Sequence, residues 1–133
     1  MDMEISWLAV VAAGVSSLVL GGVWYSPMLF ANQWMKQAGL SEDQLKSGSM
    51  PLIFGGALLL SLIAAFVFSM FLGPKPELMF ALGAGFSAGL CWVAAGLGIN
   101  YLFERRPLGL FLINGGYFTL QFTLIGAILS LLG

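Results

Sequence analysis

The chain has no histidine and one cysteine, Cys91. Without imidazole there is no basis for a histidine-held metal or haem, nor for a Ser-His or Cys-His nucleophile pair. A lone thiol closes no intrachain disulfide. Charge is scarce as well. Five basic and six acidic residues among 133 make 8% charged, where a soluble domain carries about a quarter. So few charges cannot clothe a water-facing surface. With a net charge of −1, the electrostatic footprint of a nucleic-acid binder is missing too. Alternating strand patterns are absent, which argues against a β-barrel.

What is present is apolar sequence in long charge-free runs. There are 31 uncharged residues between Glu4 and Lys36, 28 between Lys46 and Lys75, 26 between Glu77 and Glu104, and 27 after Arg106. A membrane-crossing helix needs about 20 mainly apolar residues. The spacing therefore predicts an all-α polytopic membrane protein, a single domain over 1–133, with helices over about 5–26, 51–73, 78–103 and 108–132. Pro27, Pro51, Pro74, Pro76 and Pro107 all fall at these edges, where proline is tolerated, and none falls inside. The acidic start "MDMEIS" and the length of the first apolar run predict no cleavable signal peptide.

One connection is long, 28–50. Its first part, "MLFANQWMKQAG", puts Phe30, Trp34 and Ala38 on one side, as in a short helix lying among headgroups. Ser41 followed by Gln44 is a capping-box pattern for a second short helix, which Gly48 would stop. The other two connections are tight, so successive helices run antiparallel. Lys36, Lys46, Arg105 and Arg106 lie on one side of the membrane and Lys75 on the other. By the basic bias of cytoplasmic loops, the first and third loops are expected in the cytoplasm and both termini outside.

Polar residues within the apolar runs are few and specific. Trp24, Tyr25 and Trp34 sit where interfacial aromatic rings are enriched, and Ser26-Pro27 suits a helix exit. Tyr25 and Ser26 also suit a site. Asn114, Tyr117 and Gln121, spaced by three and four, share one face of the fourth helix. Asn100 is expected at similar depth on the third helix, and the two asparagines either bond each other or share water. Amides left unpaired in hydrocarbon are costly, so these must face protein or water. They are candidates for interhelical packing bonds or for a solute-lining surface. Glu104, Arg105 and Arg106 form a turn that serves as an anchor with a local ion pair, or as a contact for anions and lipid headgroups.

Small residues mark packing surfaces. Gly85 and Gly89, extended by Ala81, form one stripe, and Ala13, Ser17 and Gly21 another. Residues of this size four apart let helix backbones approach closely, within a chain or between copies. Gly83, Gly85 and Gly89 also resemble a dinucleotide-binding loop. That reading lacks both the preceding strand and the acidic residue about 20 positions on.

The stretch "GGVWYSPMLFANQWMK" resembles the hallmark of a bacterial membrane family known only as domain of unknown function 1761 (DUF1761). A second stretch, "LFERRPLGLFLINGGYFTLQFTLIGAIL", is similar to that family as well. The resemblance implies a small inner-membrane protein and supplies no activity. Small multidrug exporters have similar size and helix count, but their working glutamate lies inside the first helix. Here Glu4 precedes Trp7, and no predicted helix holds a buried carboxylate or lysine to carry a proton. The expectation is therefore a protein with no catalytic residues, metal or cofactor, embedded in the bilayer as a homo-oligomer. It would act as a channel or facilitator for a small neutral or anionic solute through Tyr25, Asn100, Asn114, Tyr117 and Gln121. The alternative is a non-catalytic accessory, structural or lipid-interacting protein.

Overall fold

The computed structural model describes residues 5–41, 43–44 and 50–133. Among them are five helices and no strand: α1 Trp7–Trp24, α2 Ala31–Ala38, α3 Met50–Leu72, α4 Leu78–Glu104 and α5 Leu108–Leu132. Four of these, all but α2, are long and apolar enough to cross a membrane. Their bounds lie within two residues of those expected. The prolines act as anticipated: Pro51 sits in the first turn of α3, Pro74 and Pro76 in the α3–α4 loop, and Pro107 at the N-cap of α5.

The spans alternate in direction. At one end the Ser6 hydroxyl caps α1, accepting from the Ala9 N–H at 3.3 Å and donating to the Leu132 carbonyl at 3.3 Å. Ser130 donates to the Pro76 carbonyl there as well. The start of α1, the end of α5 and the α3–α4 loop thus share one end, here the terminal end. The opposite end holds α2 and the α4–α5 turn, where Arg106 donates to the Ala38 carbonyl at 3.5 Å.

Side by side, α1 and α5 form the middle of the bundle. α3 flanks α1, α4 flanks α5, and α3 and α4 pack little on each other. Near the terminal end all four spans meet in one apolar core of Ala9, Val10, Ala13, Ala65, Phe68, Ala88, Ile125 and Leu129. Outward-facing side chains such as Leu60, Phe80, Trp92 and Leu112 are apolar and exposed, as a lipid-facing surface requires.

The glycine stripes find their partners inside the chain. A Cβ on Gly85 would collide with the Phe122 carbonyl, and one on Gly89 with the Phe118 carbonyl. Ala81 faces Gly126 in the same way. On α1, Ala13 and Ser17 are fully buried, and Gly21 lies against the Tyr117 ring. Both stripes therefore serve contacts with α5 and are not open for a second copy.

In its middle α4 widens to a π-helical segment, Ala88–Ala94. The stripe explains why. Gly89 and Ala94 both face inward, five residues apart. In a regular α-helix that spacing leaves Ala94 about 140° round from Gly89. The wider turn absorbs one residue and returns Ala94, then Gly98, to the α5 side, where Gly98 meets Phe111 and Ala94 meets Gly115. The stripe Ala81, Gly85, Gly89, Ala94, Gly98 carries this register shift in its spacing, a signal the expectation of one regular helix overlooked.

Candidate functional site

The turn after α1 sets up the site. The Ser26 hydroxyl donates to the Val23 carbonyl at 2.7 Å, and the N–H groups of Leu29 and Ala31 bond the Ser26 carbonyl. The chain therefore doubles back at once into α2. α2 is amphipathic: Ala31, Trp34 and Ala38 lie inward, while Asn32, Gln33 and Lys36 are exposed. Gly39, in the left-handed region at φ 73°, closes it by bonding the Met35 carbonyl. The capping box forms further on, with mutual bonds between Ser41 and Gln44 of 2.8 and 3.2 Å. The stop expected at Gly48 lies outside the described residues.

Trp24 and Tyr25 both make specific contacts with α5. The Trp24 indole N–H donates to the Ile113 carbonyl of α5 at 2.9 Å, and its ring lies over Gly116. Tyr25 stacks edge-on to Trp34 at 5.3 Å and lies 5.6 Å from the Tyr117 ring. Its hydroxyl donates to Asn114 Oδ1 at 2.6 Å. The Asn114 amide in turn donates to the Tyr101 hydroxyl at 2.9 Å. One carboxamide on α5 thus joins the end of α1 to the end of α4. A turn deeper, the Tyr117 hydroxyl donates to the Ser17 carbonyl at 2.9 Å.

This network forms part of the wall of a cavity of about 620 Å³. Leu18, Gly21 and Gly22 of α1, Trp34 of α2, and Ile53, Phe54, Ala57 and Ser61 of α3 complete the lining with Tyr101, Asn114, Tyr117 and Phe118. Both α3 and α4, which pack little on each other, contribute to its wall. Its walls are apolar and aromatic, and no charged side chain lines it. Ser61 is 7% exposed and its hydroxyl has no hydrogen-bond partner among the described residues. No fully enclosed side-chain nitrogen or oxygen among those residues lacks a partner, so this hydroxyl keeps access to the cavity.

The expected polar face is only partly assembled. Tyr25, Asn114 and Tyr117 come together. Asn100 does not join them: it is exposed on α4, and the partner anticipated for Asn114 is replaced by Tyr25 and Tyr101. Helix rotation is the reason, since Tyr101 rather than its neighbour turns toward α5. Gln121 is 4% exposed, makes no side-chain hydrogen bond among the described residues, and is not in the cavity lining. The sequence placed Tyr101 at the depth of Asn100 and Asn114 but did not mark it as a site residue, and Ser61 was not singled out. The spacing of Tyr101 from Gly98, on the face that meets α5, was the available signal for the first.

Arg106 pairs with Glu104 at 3.4 Å, both side chains about half exposed, an arrangement of little energetic weight. Arg105 adopts the left-handed region at φ 59°, and the Arg106 N–H bonds the Tyr101 carbonyl. This is the helix-ending motif usually built on glycine. Arg106 also borders a separate apolar groove of about 380 Å³ beside Tyr101 and Phe111. Among the described residues no group of three metal-ligating side chains occurs.

Fold and cavity together define a polytopic helical protein of the membrane class, with four spans and an uncharged cavity near one end of the bundle. The family profile of DUF1761, a protein of unknown function, matches residues 8–130, and the chain belongs to that family. No curated protein and no solved structure matches it.

Proposed function

We propose that the protein is a non-catalytic membrane protein that holds an amphipathic, membrane-dissolved molecule in the cavity between α1, α3 and α5. The observation that carries this reading is the state of Asn114. Its oxygen and one of its two N–H protons are held by tyrosines, so it ties helices together rather than lining a continuous water path, with one N–H left over. Asn100 and Gln121 do not extend such a path either. Toward the terminal end the four-helix apolar core fills the interior. A closed-ended cavity with apolar walls and a few hydroxyls suits binding better than conduction. Its volume falls in the usual range for small-molecule sites, about 300–1,000 Å³. The same reading places the protein in a bacterial inner membrane, with Lys36 and Arg106 at the cytoplasmic face by the basic bias and both termini outside. A homo-oligomer would have to use a surface other than the glycine stripes.

Gly22 tests the reading. It lines the cavity and has open space around its would-be Cβ. Gly22→Leu should fill the cavity without disturbing the helix. Native mass spectrometry of protein extracted in lipid nanodiscs should show a bound small molecule on the parent chain and loss of that adduct in the variant. Gly83→Leu, equally unhindered but away from the cavity, should keep it. Equal adducts on all three proteins would defeat the proposal.

A further inference from the structure

The hydrogen-bond inventory of the cavity specifies the head group it takes. The Tyr25 proton is spent on Asn114 Oδ1, and the Tyr117 proton on the Ser17 carbonyl. The Tyr101 hydroxyl receives a bond from Asn114 and makes none, so its own proton is unspent. Exchanging oxygen and nitrogen in the Asn114 amide only moves the spare proton from Tyr101 to Tyr25, because one carboxamide oxygen faces two phenols. The second amide N–H of Asn114 and the Ser61 hydroxyl proton are also free. The two carbonyl oxygens of the network, Asn114 Oδ1 and Ser17 O, already accept bonds. The oxygens still open to accept are those of hydroxyl groups, chiefly the phenols of Tyr25 and Tyr117, which accept less readily than a carbonyl, so the three unspent donors set the main demand on a guest. A donor left unmatched beside an apolar guest costs free energy, whereas a guest carbonyl satisfies it. No lining residue is ionisable with a charge at neutral pH, so a charged head group would lose its hydration without a counter-ion.

The donors stand at two depths. Asn114 is six residues into α5 and Ser61 eleven residues into α3, both counted from the same end of the bundle. At 1.5 Å per residue that separates them by roughly 7 Å along the axis. We infer that the cavity binds a neutral amphipath whose head carries two carbonyl-type acceptor oxygens, one met by Tyr101 and Asn114 and the other by Ser61, with its apolar body against Phe54, Trp34 and Phe118. Two kinds of membrane molecule share this chemistry, a diester glycerolipid and a quinone.

The inference rests on the binding reading above, and its test separates the two. Full-length protein in nanodiscs is titrated with four probes: a diacylglycerol, a decyl-substituted benzoquinone, a headless alkane of matched length and a long-chain alkylamine. Adducts are read by native mass spectrometry. At least one carbonyl probe should bind about tenfold or more tightly than the alkane and the amine, and which of the two does so identifies the source. Ser61→Ala and Tyr101→Phe should each weaken that probe by roughly five- to tenfold, a typical effect of one hydrogen bond, and leave alkane binding unchanged. Ser61→Ala removes no bond from the protein itself, so it remains informative if Tyr101→Phe lowers stability. If alkane or amine binds as well as both carbonyl probes, or if Ser61→Ala changes nothing, the head-group assignment is overturned while the cavity remains a binding site. If no probe binds, or if Gly22→Leu leaves every adduct in place, the binding reading itself fails.

Discussion

Asn114 shows how much one polar side chain does in an apolar interior. Its carboxamide accepts from Tyr25 and donates to Tyr101, and so pins the ends of α1 and α4 to α5. Leucine has nearly the same volume and neither function. Asn114→Leu strands two phenolic hydroxyls that are only partly exposed. It should lower stability by about 1–2 kcal/mol, since interhelical hydrogen bonds in membranes are modest and the hydroxyls can turn toward the cavity. Thermal unfolding in mild detergent measures the loss. An unchanged midpoint would mean that the network is replaced by water at little cost. The interfacial role expected for Trp24 and Tyr25 and their packing role are compatible: each ring has an apolar body that fills a contact and a polar tip that finds a partner.

Among the elements, α4 carries the most distinctive adjustment. Its wide segment, Ala88–Ala94, keeps two small-residue patches on one face although they are out of α-helical phase. Such bulges behave as one-residue insertions within a helix. Removing one residue between Gly89 and Ala94 leaves them four apart, a spacing that a plain α-helix accommodates. Cys91 is exposed and makes no hydrogen bond through its thiol, so it is the residue to delete. The deletion variant should fold, with both Gly85 and Tyr101 still against α5 and a change in unfolding midpoint of only a few degrees. Deleting Leu120 from the regular α5 rotates everything beyond it by about 100° and should prevent folding. Circular dichroism melts of the two variants compare the outcomes. Comparable damage from both deletions would show that the wide turn is not a register correction.

For the whole molecule, the antiparallel order puts Lys36 and Arg106 at one end and Lys75 at the other, with the start of α1 and the end of α5 on the Lys75 side. If the basic bias sets the orientation, then in a Cys91→Ser background a cysteine at position 75 reacts with a membrane-impermeant thiol reagent added to intact cells. A cysteine at position 36 then reacts only after the membrane is opened. The opposite pattern would turn the protein over, and with it the side on which the cavity lies.

The four spans and their limits were determined by sequence alone, because charge-free length and proline placement leave a bilayer-crossing chain few alternatives. Pro107, for instance, sets the start of α5 whatever surrounds it. Family membership was legible in the Trp-Tyr-Ser-Pro stretch for the same local reason. The depth of Asn114 was legible too, but not its partners. A span that is apolar all round does not announce which face is buried, and lipid competes with protein for every apolar side chain. Only packing decided that Tyr101 and not Asn100 meets Asn114, that the glycine stripes close on α5 rather than on a second copy, and that α3 and α4 stand apart. The cavity, with Ser61 in its wall, draws on both of those helices. These outcomes depend on helix rotation and on backbone approach at Gly85 and Gly89, both fixed by contacts between residues far apart in the chain.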